Sequence, residues 1–324
     1  MSGEPWQIGP LRVEPQKTLR GVFQVDVGPT RINFPIALIN GTEPDPVVLV
    51  TAGMDGDEYA GCEAALRLID ALDPVTLAGR VMVCPILDPL SFEALSSQNP
   101  LDGLFLKNVF PGDLEGKPTQ RLAHFIHHYF ITPADAWIDL QSADVVGDAV
   151  PFVWTAQVAD AQINEQNRAL LSYSEVALGL LTAPRAWGPL EAAAAASTAV
   201  LVSQAGRRLR TEEDAINFHL QVIQNVLAGL AMLPPTSKAP PAQVVYLDRE
   251  IALAEHTGLW YPQVRPGDEV TVGQVLGEIY TFDGDQVLQR VESAVNGLVL
   301  AVQTGLATRP RLGLALIAHR KQQG

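Results

Sequence analysis

The run Val47-Val48-Leu49-Val50-Thr51-Ala52, followed by Gly53-Met54-Asp55-Gly56-Asp57-Glu58, decides the fold of this 324-residue chain. Its first six residues are apolar or β-branched without alternation, which is typical of a strand buried on both faces of a sheet. Apolar residues at helical spacing follow from Glu58 to Leu72 and predict an amphipathic helix. A buried strand, a turn rich in glycine and acid, and a helix in this order predict a parallel α/β sheet.

The same alternation continues along the chain. Further buried strands are predicted at 80–87, 136–140 and 199–203, the last after an alanine-rich stretch at 190–196, and helices are predicted at 119–130, 164–181 and 212–233. Residues 19–45 read as short extended segments, and residues 88–118 as a long ordered loop of the kind that binds ligands. The first part of the chain is therefore predicted to be an α/β domain with a largely parallel central sheet.

The composition changes at the proline-rich segment 234–241. Beyond it the helical period disappears, and turn signals recur at the spacing of a small all-β barrel or sandwich. We therefore predict two domains, an α/β domain with short N-terminal β segments at residues 1–240 and an all-β domain at residues 241–324.

Charge and composition exclude several classes of function. The formal net charge is −14, from 36 acidic and 22 basic residues, which repels nucleic acids and anionic membrane surfaces. No apolar run reaches the roughly 20 residues that a membrane-spanning helix needs, and the N-terminus does not read as a signal peptide. Two cysteines are too few for a disulfide framework, so a cytoplasmic protein is expected.

A series of motifs resembles one known family. In chain order the motifs are Gly53-Met54-Asp55-Gly56-Asp57-Glu58, Pro85-Ile86-Leu87-Asp88-Pro89, Asp102-Gly103, Phe110-Pro111-Gly112, Arg121-Leu122-Ala123-His124 and Ile138-Asp139-Leu140-Gln141-Ser142. This order is similar to that of the succinylglutamate desuccinylase/aspartoacylase family. The resemblance implies a three-layer zinc-carboxypeptidase-like domain with a C-terminal β domain, a homo-oligomer, and hydrolysis of N-acyl amino acids, which are small polar metabolites.

The zinc ligands that the resemblance implies are mostly replaced. The family places a His and a Glu after the first strand and a second His at the end of a later strand. This chain has Asp55 and Glu58 at the first motif and Gln141 at the second. An amide oxygen suits zinc poorly, so no zinc is expected. These oxygen donors leave open a weakly held Mg²⁺ or Mn²⁺.

The other catalytic positions of the family are also changed. The arginine that would clamp the substrate carboxylate falls at Asn108, beside Lys107, and a second arginine falls near Ser97. The general-base glutamate falls at Gln204, with Ser203 as an alternative one residue earlier. A glutamine cannot take a proton from water at neutral pH.

The main hypothesis is a repurposed, metal-independent enzyme that uses Asp55 and Glu58 as acid and base on a small polar metabolite. The same acids would also suit the N-terminal end of a helix. Two alternatives remain: an inactive relative that binds a metabolite or a protein partner, and an amide hydrolase with a substitute metal. The predicted catalytic residues are Asp55, Glu58 and Gln204, and the predicted substrate-binding residues are Lys107, Asn108, Asp139 and Gln141.

Other reactive side chains receive structural interpretations. His124, His127 and His128 share a predicted helix, but no Glu or Cys completes a zinc pattern there. Cys62 and Cys84 lie in apolar segments and are predicted to be buried, unreactive thiols.

Overall fold

The computed structural model describes residues 4–142, 147–183, 188–235 and 243–320. The first strands of these ranges are β1 (Trp6–Ile8), β2 (Leu11–Val13), β3 (Lys17–Asp26), β4 (Arg31–Asn40), β5 (Val47–Ala52), β6 (Arg80–Cys84), β7 (Ala136–Gln141), β8 (Gly147–Ala149), β9 (Phe152–Ala156), β10 (Leu178–Thr182) and β11 (Ala199–Gln204). The later strands are β12 (Val244–Tyr246), β13 (Asp248–Leu253), β14 (Gly258–Pro262), β15 (Glu269–Val270), β16 (Val275–Tyr280), β17 (Val287–Glu292), β18 (Gly297–Gln303), β19 (Ala307–Thr308) and β20 (Gly313–His319). The helices are α1 (Tyr59–Ala71), α2 (Pro89–Glu93), α3 (Pro118–Ile126), α4 (Ala161–Tyr173), α5 (Pro189–Ala195) and α6 (Glu213–Gly229), with a 3₁₀ turn at Leu106–Asn108 and a π-helical turn at His127–Ile131.

Nine strands of the described ranges form the central sheet, in the spatial order β12-β10-β9-β11-β7-β5-β6-β4-β3. Its middle is parallel, with β6, β5, β7 and β11 side by side, whereas β9 runs antiparallel to β11. All six residues of β5 are buried, as the unbroken apolar run predicts. The predicted α/β fold with a largely parallel sheet is confirmed.

The sheet is the middle of three layers. Helices α1, α4 and α6 pack on one face through a core that includes Ala64, Leu170 and Val226. Helices α3 and α5 pack on the other face through Leu122 and Leu190. No helix of the described ranges is both long and apolar enough to cross a membrane.

The end of the chain is all β, as predicted. Two antiparallel sheets, built on β13-β20-β18-β15 and β17-β16-β14-β19, enclose a separate core that includes Trp260, Leu276 and Ile317. Strand pairs also cross the predicted boundary, because β12 joins the central sheet at β10 and β8 pairs with β18. Residues 236–242, which hold most of the proline-rich segment, lie outside the described residues. The division at residue 240 stays a prediction.

Some element predictions were wrong. The helix predicted at 164–181 ends at Tyr173, and its last residues form β10 instead. The short apolar run Leu178–Thr182 fits a buried strand as well as a helix, and its place beside β9 decides between them. Strand β9 was not predicted. Residues 19–45, predicted as short segments, contribute to the ten-residue strands β3 and β4. The predicted loop 88–118 contains α2 and the 3₁₀ turn.

Candidate functional site

The candidate site lies at the carboxyl ends of three adjacent parallel strands, β5, β7 and β11. Ligand sites of open α/β sheets form in such crevices. Strand β5 leads into the loop of residues 53–58, which we call the crevice loop. Strands β7 and β11 end at Gln141 and Gln204, which are paired in the register. The topology therefore brings the ends of these three strands and the crevice loop to one place.

Two glycines let the crevice loop and helix α1 approach their neighbours closely. A Cβ atom at Gly61 would lie 2.7 Å from the carbonyl oxygen of Leu140, and one at Gly56 would lie 2.0 Å from the carbonyl carbon of Ser91. Neither position has room for a side chain. This close packing brings Glu58, the residue before α1, to the end of β7.

Asp55 is held by two cations. Its carboxylate Oδ2 accepts from the ammonium Nζ of Lys107 at 2.8 Å and from Nη2 of Arg208 at 3.0 Å. The Asp55 side chain is buried, and its Oδ1 has no hydrogen-bond partner among the described residues. Asp55 is therefore an ion-pair partner at the position where the family resemblance implies a metal-binding histidine.

Arg208 joins the two aspartates of the crevice loop. Its Nη1 lies 2.7 and 2.9 Å from the carboxylate oxygens of Asp57 and also donates to the hydroxyl of Ser97. Burial acts to lower the pKa of Arg208, but Glu58, Asp55 and Asp57 outweigh it and raise that pKa above its usual value. The side chain is only 10% exposed, so a permanent positive charge lies inside the crevice.

Glu58 is buried beside this network. Its Oε1 accepts from the backbone N–H of Ser142 at 3.1 Å. Burial, and then the charge of Asp55, raise the pKa of Glu58 well above its ordinary value, against the opposite effects of Arg208 and Lys107. Glu58 therefore lies among two other carboxylates, Asp55 and Asp139, and two cations, Arg208 and Lys107.

Asp139 supports the crevice from within β7. It accepts hydrogen bonds from the hydroxyl of Thr51 and from Nε2 of Gln141, the latter at 2.6 Å. Burial raises the pKa of Asp139 to about 6, although both hydrogen bonds act to lower it. Trp137 fixes Thr51 in turn, because its indole N–H donates to that hydroxyl at 2.7 Å.

Gln204 is held in place by the backbone that follows β7. Its side-chain amide donates to the carbonyl oxygen of Ser142 at 2.8 Å, and its own oxygen is buried without a partner among the described residues. One residue earlier, the hydroxyl of Ser203 lies 2.8 Å from Nδ1 of His219, which burial keeps neutral by lowering its pKa to about 4. Both Ser203, on β11, and His219, on α6, are fully buried between the central sheet and α6.

An open cavity of about 260 Å³ adjoins the crevice. Three of the predicted substrate-binding residues line it, namely Lys107, Asn108 and Gln141. Asp55, Glu58, Asp139 and Gln204 are not among its lining residues. The structure thus separates the predicted site into a buried charged crevice and a cavity that a ligand can enter.

Comparison with known sequences identifies the family. A sequence model of the succinylglutamate desuccinylase/aspartoacylase catalytic domain matches residues 44–230, which is more than half of the chain. The chain belongs to this family. It is 29% identical over 260 residues to N-alpha-acetyl-L-2,4-diaminobutyric acid deacetylase of Halomonas elongata, covering 77% of this chain and 74% of that protein.

Solved structures of the desuccinylase/aspartoacylase family share the fold. The succinylglutamate desuccinylase/aspartoacylase from Rhodobacter sphaeroides superposes with a TM-score of 0.85 at 21% identity, covering 96% of this chain and 98% of that chain. The product-bound ectoine utilization protein EutE (DoeB) from Ruegeria pomeroyi superposes with a TM-score of 0.84 at 18% identity, covering 93% and 95%.

Zinc, which the family resemblance implies, does not fit the residues of this crevice. No group of three His, Cys, Asp or Glu side chains that could hold a metal is present in residues 4–142, 147–183, 188–235 and 243–320. Asp55 is instead paired with Lys107 and Arg208, and the residue at the end of β7 is the amide Gln141. Zinc prefers thiolate, imidazole and carboxylate donors.

Sequence reasoning missed Arg208, although two signals pointed to it. It lies in the loop after β11, four residues beyond Gln204, and three acids crowded into a buried loop require a positive partner. The histidines gave no site: His124 and His128 stack on each other, and Nε2 of His127 lies 3.2 Å from the carbonyl oxygen of Ala192.

The cysteines are buried, as predicted. Burial raises the pKa of both thiols, of Cys62 and of Cys84, so neither forms the reactive thiolate at neutral pH.

Proposed function

We infer that this member of the desuccinylase/aspartoacylase family binds a small polar metabolite in the cavity beside the crevice and does not hydrolyse amides with zinc. The observation that supports this most strongly is the guanidinium of Arg208, which bridges Asp55 and Asp57 inside the crevice. A side-chain cation there supplies the positive charge that a metal would otherwise bring to these acids.

The electrostatic balance supports the same proposal. A divalent cation at Asp55 and Glu58 would lie next to the charges of Lys107 and Arg208, and like charges at such distances repel strongly in a buried site. Binding it would place a third cation on the carboxylate of Asp55 or displace Lys107 or Arg208 from it. For the same reason the substitute-metal hypothesis, with Mg²⁺ or Mn²⁺ on Asp55, Glu58 and Gln141, is the weakest of the three.

A metal-independent enzyme is the second candidate, and the raised pKa of Glu58 favours it. Burial raises the pKa of Glu58 well above its ordinary value, and general acids and bases are often carboxyl groups with a pKa raised in this way. Asp55 cannot share this role while it is held in two ion pairs. In this alternative Glu58 alone would be the acid and base, on a substrate that reaches it from the cavity past Gln141.

A hydrolysis assay separates the three possibilities. The chain would be incubated with N-alpha-acetyl-L-2,4-diaminobutyrate and a panel of other N-acyl amino acids, with zinc, with manganese and with EDTA. The Halomonas elongata deacetylase serves as the positive control on the first substrate. We expect no acid release from this chain under any condition.

Hydrolysis that EDTA abolishes would contradict the proposal. Turnover that survives EDTA and disappears in Glu58→Gln would establish the second candidate instead.

A further inference from the structure

We propose that two copies of this chain join through the free edge of strand β3, so that their central sheets form one continuous sheet across a two-fold axis at Val22. Strand β3 is separated from β5, the first strand of the crevice, by β4 and β6. The proposed interface therefore does not depend on what binds in the crevice or its cavity. It also goes beyond the family resemblance, which implies an oligomer without indicating the surface that forms it.

The central sheet ends in two very different strands. At one end β12 has three residues, whereas at the other end β3 has ten. Strand β3 pairs with β4 over all ten residues without a bulge, and it contains no proline. Short strands, bulges and prolines are common devices that keep a sheet edge from pairing with another chain. Strand β3 has none of the three, and no described strand pairs with its outer side.

The turn that closes the β3–β4 hairpin shows which backbone groups of β3 face outward. The N–H of Val27 donates to the carbonyl oxygen of Thr30 at 3.1 Å, so these two residues form a hydrogen-bonded pair. Hydrogen-bonded and non-hydrogen-bonded pairs alternate along an antiparallel ladder. The pair of Val22 and Pro35 is therefore non-hydrogen-bonded, which fits the missing N–H of proline. The even-numbered residues from Thr18 to Asp26 thus direct their N–H and C=O groups to the free edge.

A second copy of the chain fits this edge because β3 is complementary to itself. Antiparallel pairing about an axis at Val22 uses every even-numbered residue of β3, and it places Arg20 opposite Gln24 and Thr18 opposite Asp26 of the second copy. No like charges face each other, and Arg20 lies diagonal to the second copy's Asp26, at a spacing where opposite charges attract. Both charged side chains already have exposed ion-pair partners, so this attraction sets the register more than it adds affinity.

Exposed apolar groups line the same edge. Val22 is 53% exposed and Leu114 is 59% exposed. A groove of about 690 Å³ lies beside the strand, lined by residues 22–26 of β3 and by Leu114, Phe125 and Tyr129 on the side of α3. A second copy docked on β3 would cover Val22 and this groove. Burial of these apolar groups would add a hydrophobic contribution to the backbone hydrogen bonds.

Analytical ultracentrifugation and native mass spectrometry of the full chain at micromolar concentration test the proposal. We expect the wild type to be a dimer. Val22→Lys would place two ammonium groups opposite each other at the axis and should raise the dissociation constant of the dimer by about tenfold or more. Val287→Lys is the matched control, because Val287 is also an exposed valine, 47% accessible, on the outermost strand of its sheet, β17. The control should remain a dimer.

Hydrogen exchange at single residues locates the interface. The backbone amides of Arg20, Val22 and Gln24 should exchange at least about tenfold more slowly in the wild type than in Val22→Lys, because they donate across the axis only in the dimer. The amides of Phe23 and Val25 bond to β4 and should be slow in both proteins. Dilution of the wild type until it dissociates gives the same comparison if the variant does not fold.

Several results would overturn the proposal. A wild-type mass of one chain, or of one chain bound to a different protein, would show that β3 does not pair with a second copy. A dimer that is unchanged in Val22→Lys, or that dissociates equally in Val287→Lys, would place the interface elsewhere or leave it unlocated. Equal exchange of the outward amides in dimer and monomer would also contradict it. None of these results would bear on the function proposed for the cavity.

Discussion

Arg208 is the residue on which the interpretation of the crevice depends. It contacts Asp55 and Asp57, which are more than 150 positions earlier in the chain, and it is itself only 10% exposed. Ion pairs of this kind cost desolvation when they form, and breaking one leaves an uncompensated buried charge. At the scale of single residues, the charge inside this crevice is provided by the chain itself.

Arg208→Met should therefore destabilise the protein by about 3–5 kcal/mol, because Asp57 loses its cation and the buried Asp55 keeps only Lys107. Arg67→Met is the matched control, since Arg67 pairs with Glu63 and Glu213 at the surface and is 40% exposed. We expect the control to cost about 1 kcal/mol or less. The free energies of unfolding from urea titrations compare the two, and equal losses would contradict the account.

The raised pKa of Asp139 predicts that the stability of the folded protein depends on pH. Burial raises its pKa in the folded protein from 3.8 to about 6, so folding favours the protonated carboxyl. The stability associated with this group is fully present below the unfolded pKa and is lost as the pH rises through about 6. Relative to Asp139→Asn, the wild type should lose about 2–3 kcal/mol between pH 4 and pH 6. Urea midpoints across this range measure the difference, and a difference that stays constant or grows would refute the prediction.

At the scale of elements, the site depends on how closely α1 approaches β7. Gly61→Ala should be destabilising, although alanine is the better helix former by about 1 kcal/mol, because its Cβ would lie 2.7 Å from the Leu140 carbonyl oxygen. Gly305→Ala is the control, since its closest neighbour would be 3.4 Å away. Thermal unfolding compares the two variants. A melting temperature for Gly61→Ala that equals or exceeds that of the control would show that this contact does not constrain the helix.

The strands and helices that carry the site were mostly predictable from the sequence. Strand β5, helix α1 and strands β6, β7 and β11 follow from unbroken apolar runs and helical spacing, and they place Asp55, Glu58, Gln141 and Gln204 at one edge of the sheet. Strand β10 was missed because a five-residue segment with three leucines fits a helix as well as a strand, and only pairing with the neighbouring strand β9 decides between them. The partners of Arg208 and the contact of Arg249 with Trp154 were not predicted, because both join residues far apart in sequence.

At the scale of the whole molecule, the C-terminal β region contributes to the cavity beside the crevice as well as to its own core. Strand β13 supplies Arg249 and Ile251 to a cavity whose other residues come from the central sheet, from helix α5 and from the loops beside them. The homo-oligomer that the family resemblance implies stays a prediction. Light scattering at micromolar concentration should give a mass that is a multiple of one chain, and a mass equal to one chain would contradict it.

The most direct test of the central claim is a zinc measurement. The protein would be dialysed against micromolar zinc and then against metal-free buffer, and its metal content measured by mass spectrometry. The charge of Arg208 and Lys107 at Asp55 predicts far less than one zinc ion per chain. One tightly held zinc ion per chain would contradict the account, because it would mean that the two side-chain cations do not keep a metal out of the crevice.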